Sequence, residues 1–357
     1  MGEAMRILII NPGSTSTKVA LSEGKELIAS KTLHHAPEEL AACSRIADQE
    51  PMRLKAIEEF LASQGVYVAD LAAVVGRGGL LNPLSSGTYR VNERMLQDLR
   101  AGKNGQHASN LGGLLAQSLA ARAGIPAFIV DPPAVDEFDS RARYSGLPEL
   151  PRRSQLHALN IRRVALRIAE DIGKPLSECN FVVVHLGGGI SVAAVRRGRM
   201  IDVNNANHGG PFSTERAGGL PAGDVLRLCF SGRFSEGELQ KRVAGRAGLV
   251  AYLGTNDGRA VEERIAAGDR EAELVYRALA YQVAKEIGAM AAILPTLDGV
   301  VYTGGLAHSA WLLANIKQYV AALGPSFVIP GENEMLALAE GAARVLMGEE
   351  EAKVYQG

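Results

Sequence analysis

The chain has 357 residues, enough for two domains at roughly 150 residues each. It is 47% hydrophobic and 22% charged, a globular mix that excludes a disordered or collagen-like chain. Lys plus Arg number 38 against 39 Asp plus Glu, a net charge of −1, so no nucleic-acid partner is expected. Residues 1–4, ahead of Met5, read as a poorly ordered extension. A strand over residues 7–10 is followed by the small-residue turn 11–17 and a second strand over 18–21. Helical periodicity covers 51–64, where Leu54, Ile57, Phe60 and Leu61 share a face. A buried-type strand at 72–75 ends on Gly76-Arg77-Gly78-Gly79, a helix covers 110–123, and a strand at 127–130 ends on Asp131.

Residues 138–153 are rich in Arg, Pro and Gly and read as a connector. This places one domain at 1–152 and the other at 153–333, and the C-terminal segment 334–357 is expected to return to the first. Beyond the connector come a helix over 155–171, strands at 181–184 and 190–195 around His185-Leu186-Gly187-Gly188-Gly189, and a long helix over 271–294. A strand at 299–302 leads to Gly304-Gly305, and a helix spans 334–347. Alternating strands and helices predict an α/β protein with partly parallel sheets. Residues 7–21 and 181–195 share one layout, which predicts a diverged duplication.

A Gly, Ser and Thr turn between two strands offers backbone N–H groups and hydroxyls without bulky side chains, which suits a polyphosphate. Two such turns, with Lys18 as a point charge and a third Gly pair at Gly304-Gly305, favour phosphate binding over tight hairpins alone. The Walker signature is absent: the Gly-Lys pairs at Gly24, Gly102 and Gly173 precede neither Ser nor Thr. No Rossmann-type glycine motif follows a strand, so ATP would lie between two phosphate hairpins. Arg77, flanked by glycines, is suited to a carboxylate or phosphate. Asp131 at a strand end, Arg216 between Gly209 and Pro221, and His157 at a helix start are the other candidates. The pair His34-His35 reads as surface, and His208, His308 and Trp311 read as structural. Cys43, Cys179 and Cys229 lie far apart without a CxxC pair, which argues against a disulfide framework and for a reducing cytoplasm. The apolar stretches stop short of the ~18–20 residues of a membrane span, so no membrane partner is expected. No zinc-type cluster occurs, so Mg²⁺ is expected to arrive with the nucleotide.

At this level of detail the chain resembles the butyrate kinases of the acetate and butyrate kinase family, in the actin and sugar-kinase superfamily. The resemblance runs nearly end to end. It rests on Asn11-Pro12-Gly13-Ser14-Thr15-Ser16-Thr17-Lys18, Gly76-Arg77-Gly78-Gly79, Asn104 to Gly112, His185 to Val192, Glu215 to Pro221, Tyr252 to Asp257 and Val328 to Glu332. It implies a two-domain duplicated ribonuclease-H-like fold with an interdomain cleft, ATP or ADP with Mg²⁺, a short-chain carboxylate substrate and a homo-oligomer. Asn11, Ser14, Ser16 and Lys18 match the first phosphate loop, and His185, Gly187, Gly188 and Gly189 the second. Arg77, Asp131, His157 and Arg216 match acyl-substrate and transfer-site residues; Asp257, Arg259, Gly304 and Gly305 match the nucleotide pocket. Glu334 falls near a glutamate linked to Mg²⁺, with Glu332 and Glu340 close by.

The chain also departs from the pattern it resembles. Gly188 stands where acetate kinases have Asn, and 207–211 is a residue shorter than in butyrate kinases. Gly79 stands where a Val walls the acyl pocket of acetate kinases, and is expected to make room for a longer acyl chain. The first loop opens on Asn11 where many superfamily members carry Asp, which suits an acceptor already ionised at pH 7. Two other classes compete: a hydroxyl or sugar kinase using Asp131 as base, and a non-catalytic ATP-binding protein of the actin type.

Overall fold

The computed structural model describes residues 5–357, so the N-terminal extension lies outside the described residues. The chain forms two compact units: residues up to Asp136 together with Asn333–Gly357, and Glu137–Glu332. The expected boundary after 152 therefore moves to the front of the connector. The physical reason is local: Phe138 is buried, the Met200 amide donates to Glu137 Oε2 at 2.8 Å, and the Asp139 amide donates to the Ile201 carbonyl at 2.9 Å. The connector is stitched onto a strand of the second unit instead of linking two bodies.

The first unit carries a seven-stranded sheet built from β1 (Arg6–Pro12), β2 (Ser16–Glu23), β3 (Glu26–His34), β4 (Ala73–Arg77), β5 (Thr88–Arg90), β6 (Ala127–Val130) and a C-terminal strand (Lys353–Val354). The second carries β7 (Asn180–Leu186), β8 (Ile190–Arg196), β9 (Arg199–Val203), β10 (Gly299–Thr303) and β11 (Ser326–Val328); the C-terminal strand is β12. The order β6-β4-β1-β2-β3 in one sheet is matched by β11-β10-β7-β8-β9 in the other. The directions match as well: β1 is antiparallel to β2 and parallel to β4, as β7 is antiparallel to β8 and parallel to β10. That shared topology is the duplication predicted from the two repeated hairpins.

The central strands read as continuous apolar runs because both faces are covered. Ile7 to Ile10 and Phe181 to Val184 have no exposed surface. In the first unit, the helices Asn110–Ala123 and Glu334–Leu346 both pack on β1, β4 and β6. In the second, the helix Ala158–Asp171 packs on β7 and β10, while the 23-residue helix Arg270–Ala292 packs on β7 and β8. Each fully buried Leu, Ile or Phe in these layers contributes about 1.5–3 kcal/mol of transfer free energy. None of the described helices is long and apolar enough to cross a membrane.

Candidate active site

Glycine contacts set the position of Arg77. A Cβ on Gly76 would lie 2.0 Å from the Gly112 carbonyl oxygen, and one on Gly112 would lie 1.9 Å from the Arg77 oxygen. Strand β4 and the helix Asn110–Ala123 therefore touch backbone to backbone, which fixes the strand end that carries Arg77. The guanidinium is ion-paired with Glu334 Oε1, and Asn11 Nδ2 donates to Glu334 Oε2 at 2.7 Å. Three expected residues, Asn11, Arg77 and Glu334, are thus gathered at the ends of β1, β4 and the last helix.

The neighbouring strand places Asp131 just past Val130, which is paired with Arg77. Asp131 is buried with φ of 38°, a left-handed conformation that costs a non-glycine residue free energy. Its Oδ1 accepts from the Gly87 amide at 2.7 Å, and its own amide donates to the Gly87 carbonyl at 3.1 Å. The reading of Gly79 as an opening of the acyl pocket is not supported. A Cβ there would meet Asn110 Oδ1 at 2.5 Å, Asn110 Cα at 2.6 Å and Leu99 Cδ2 at 2.7 Å. Gly79 is needed for packing against the helix start, where Asn110 bonds the Leu80 amide and the Gly105 carbonyl.

The first hairpin turns at Gly13-Ser14-Thr15, with Asn11 opposite Lys18. Ser14 and Lys18 are exposed and Ser16 is half-buried. Beneath the turn lies Arg53, which the sequence reading did not single out and which has no exposed surface. His35, expected on the surface, is also buried here, with Nε2 2.8 Å from Thr17 Oγ1. Burial first, and the Arg53 charge second, hold the His35 pKa below its ordinary value.

In the second unit the hairpin turns through Gly187-Gly188-Gly189, with His185 opposite Ser191. The His157 and His185 rings stack at 3.8 Å with an interplanar angle of 8°, and His157 Nδ1 lies 3.0 Å from Ser191 Oγ. Arg216 donates to the Ala206 carbonyl at 2.9 Å, and its guanidinium lies against the last glycine of the hairpin. A Cβ on Gly189 would come within 2.1 Å of its Nη1, so glycine there admits the guanidinium. Desolvation by burial lowers the Arg216 pKa, and Glu215 opposes that effect. Ser213 Oγ holds the Gly188 carbonyl at 2.5 Å.

The hydrogen-bond network assigns the His185 tautomer. Thr303 Oγ1 donates to the Gly331 carbonyl at 3.3 Å, so it accepts from Asn160 Nδ2 at 3.0 Å. The second Asn160 N–H points at His185 Nδ1, 2.9 Å away. Nε2 faces the Glu332 carboxylate, which can only accept, so Nε2 carries a proton and donates to Glu332 Oε1 at 3.0 Å. Asn160 and Thr303 were not singled out as site residues in the sequence; a buried Asn next to a histidine partner gives no local motif.

Asp257, Arg259 and Gly305 line a cavity of about 510 Å³ together with Gly187, Gly188 and His308. His308, read as structural, is an exposed residue on this cavity wall. Asp257 caps the helix Gly258–Ala266 by accepting from the Arg259 amide at 2.9 Å. Gly304 is buried with φ of 88°, and a Cβ would meet the Leu186 oxygen at 2.3 Å, so the position is set by packing against β7. Trp311 stacks on Tyr276 at 5.2 Å, in keeping with its structural reading.

The chain is 50% identical over 351 residues to a protein named Probable butyrate kinase 2 from Caldanaerobacter subterraneus subsp. tengcongensis, covering 98% of this chain and 99% of that protein. It is 49% identical to Butyrate kinase 2 of Clostridium acetobutylicum, with the same coverage. The crystal structure of Porphyromonas gingivalis acetate kinase superposes with a TM-score of 0.79 at 17% identity, over 95% of this chain and 99% of that one, and so shares its fold. The profile of the acetokinase family matches residues 149–355. Whole-length identity near one half, the family match and the doubled sheet agree: the chain belongs to the acetokinase family.

Proposed function

We propose that the protein transfers the γ-phosphoryl group of ATP reversibly to the carboxylate of butyrate or a similar short-chain fatty acid, giving ADP and butyryl phosphate. The observation that carries this reading is the near-half identity, over the whole chain, to proteins named butyrate kinase. The cluster of Asn11, Arg77 and Glu334 supports it: an amide and a guanidinium can orient an anionic acceptor, and they already hold both oxygens of the carboxylate in the cluster. A carboxylate is ionised at pH 7 and needs none, so the demand on the site is alignment and charge neutralisation.

In this reading Arg77 takes the acceptor carboxylate, sharing itself with Glu334. Arg216 and His157 stabilise the oxygens of the phosphoryl group in flight, a role suited to donors already fixed against the second hairpin. The cavity lined by Asp257, Arg259 and Gly305 has a volume suited to adenosine. Asp131 orients the acceptor side or holds water on a metal ion. Its Oδ1 already accepts from the Gly87 amide.

Among the described residues no three His, Cys, Asp or Glu side chains cluster as a metal cage. Mg²⁺ in nucleotide sites keeps several waters and takes one or two carboxylates besides the substrate phosphates. Both Glu334 oxygens already accept from Arg77 and Asn11, so Glu334 fits such an ion through water. When bound, Mg²⁺ neutralises the phosphate oxygens. The test is hydroxylamine trapping with ATP, Mg²⁺ and a panel from acetate to valerate and isobutyrate, with glucose as a hydroxyl acceptor. Acyl hydroxamate formation, greatest for the four-carbon acids, is expected; ADP release with glucose and none with any carboxylate would refute the reading.

A further inference from the structure

Arg53 lies on the helix Glu50–Ser63, directly under the turn of the first hairpin, with no surface exposed. Its Nη1 donates to the Ser16 carbonyl at 3.0 Å and to Thr17 Oγ1 at 2.8 Å. Its Nη2 donates to the Gly13 carbonyl at 2.9 Å, the Ser14 carbonyl at 3.3 Å and Gln49 Oε1 at 2.8 Å, and Nε donates to Gln49 Oε1 at 3.1 Å. Every one of these acceptors is neutral. Among the described residues no carboxylate bonds to Arg53, an unusual arrangement for a buried cation. Desolvation is the main effect on it and lowers its pKa to about 10, so it stays charged at neutral pH.

Two consequences follow for the turn. In a trans peptide the carbonyl of one residue and the N–H of the next point in opposite directions. Drawing the Gly13 and Ser14 carbonyls down onto the guanidinium therefore turns the Ser14 and Thr15 N–H groups up, away from Arg53. The buried positive charge, screened by no internal anion, also adds to the field above those amides. The surrounding groups maintain this state. Thr17 Oγ1 accepts from Arg53 and lies 2.8 Å from His35 Nε2, and the lowered His35 pKa keeps a second cation from forming there.

We propose that Arg53 is a positioning residue and standing counter-charge for the first hairpin, whose missing anion is the phosphate of the bound nucleotide. This deepens the phosphate-binding reading above and rests on it. Gln49→Glu is the decisive variant, because it keeps the hydrogen bonds and the shape while giving Arg53 an internal carboxylate. Binding of ATP and of adenosine is measured on the full-length wild type and variant, with thermal stability as the check on folding.

The expected result is a variant at least as stable as the wild type whose ATP affinity falls about tenfold while adenosine affinity is unchanged. Arg53→Lys, which keeps the charge and loses the planar fork, is expected to retain more of the preference for ATP over adenosine than Gln49→Glu does. A purely structural Arg53 predicts the reverse order, and a Gln49→Glu variant with the wild-type ATP-to-adenosine ratio overturns the proposal. Wild type that binds ATP no better than adenosine would instead remove the phosphate reading itself, and this proposal with it.

Discussion

The first hairpin turns over a buried arginine, whereas the second turns beside a stacked pair of imidazoles with a guanidinium laid on its last glycine. Both occupy the same place in the same strand order, so the duplication preserved a backbone and changed the way charge is brought to it. Asn11 and His185 each stand one residue before the end of their strands, β1 and β7, and each bonds a glutamate, Glu334 and Glu332. The adjacent parallel strand then diverges. Beyond the pairing of Ile10 with Gly76, β4 ends on Arg77, an ion-paired cation; β10 pairs Thr303 with His185 and uses a buried hydroxyl to orient Asn160. One strand end thus carries a group that can meet an anionic acceptor, while the other fixes the proton on an imidazole.

The comparison is most easily broken through the glycines. Gly189→Ala places a methyl against the Arg216 guanidinium and should lower kcat about a hundredfold by displacing it. Gly13→Ala meets the Ser16 oxygen at 3.3 Å and should cost no more than about threefold. Steady-state kinetics with butyrate checks both; equal losses at the two positions would mean that the hairpins hold phosphate in the same way. An effect between these two is expected from Asn11→Asp. It puts a second carboxylate beside Glu334 and near the acceptor, so kcat/KM for butyrate should fall about tenfold, mainly through KM.

The same contrasts show what could be read in the sequence. The hairpins were legible because their strands are uninterrupted apolar runs and their turns are Gly and Ser, and the helix Asn110–Ala123 begins and ends as its periodicity predicts. Strand β3 was not, since Glu26–His34 is an edge strand with seven of its nine positions exposed and shows no clean alternation. Arg53 was hidden for the opposite reason: an arginine beside an apolar helical face reads as a solvated charge, and only the carbonyls gathered around it reveal otherwise. Gly79 misled because a missing side chain looks like space, yet Asn110 and Leu99 already fill it.

The smallest expected effect is a pH slope confined to the first unit. The His35 pKa lies below its ordinary value of 6.5, so between the two values the unfolded chain binds more protons than the folded one. Stability should therefore be full above pH 6.5 and fall as the pH drops toward the folded value. His107, lowered by burial and then by Arg77, acts in the same sense. Denaturant titrations at several pH values should show this slope, and His35→Gln should flatten part of it without changing the affinity for adenosine.

The most direct test of carboxylate phosphorylation uses butyrate labelled with heavy oxygen in both carboxylate positions. The enzyme is incubated with ATP and Mg²⁺, and the product is followed by phosphorus NMR. Direct attack makes one carboxylate oxygen the bridge to phosphorus, so butyryl phosphate should form in step with ADP and carry the isotope shift of a heavy-oxygen bond to phosphorus. ADP formed without an acyl phosphate, or an acyl phosphate whose phosphorus bears no heavy oxygen, would contradict the account.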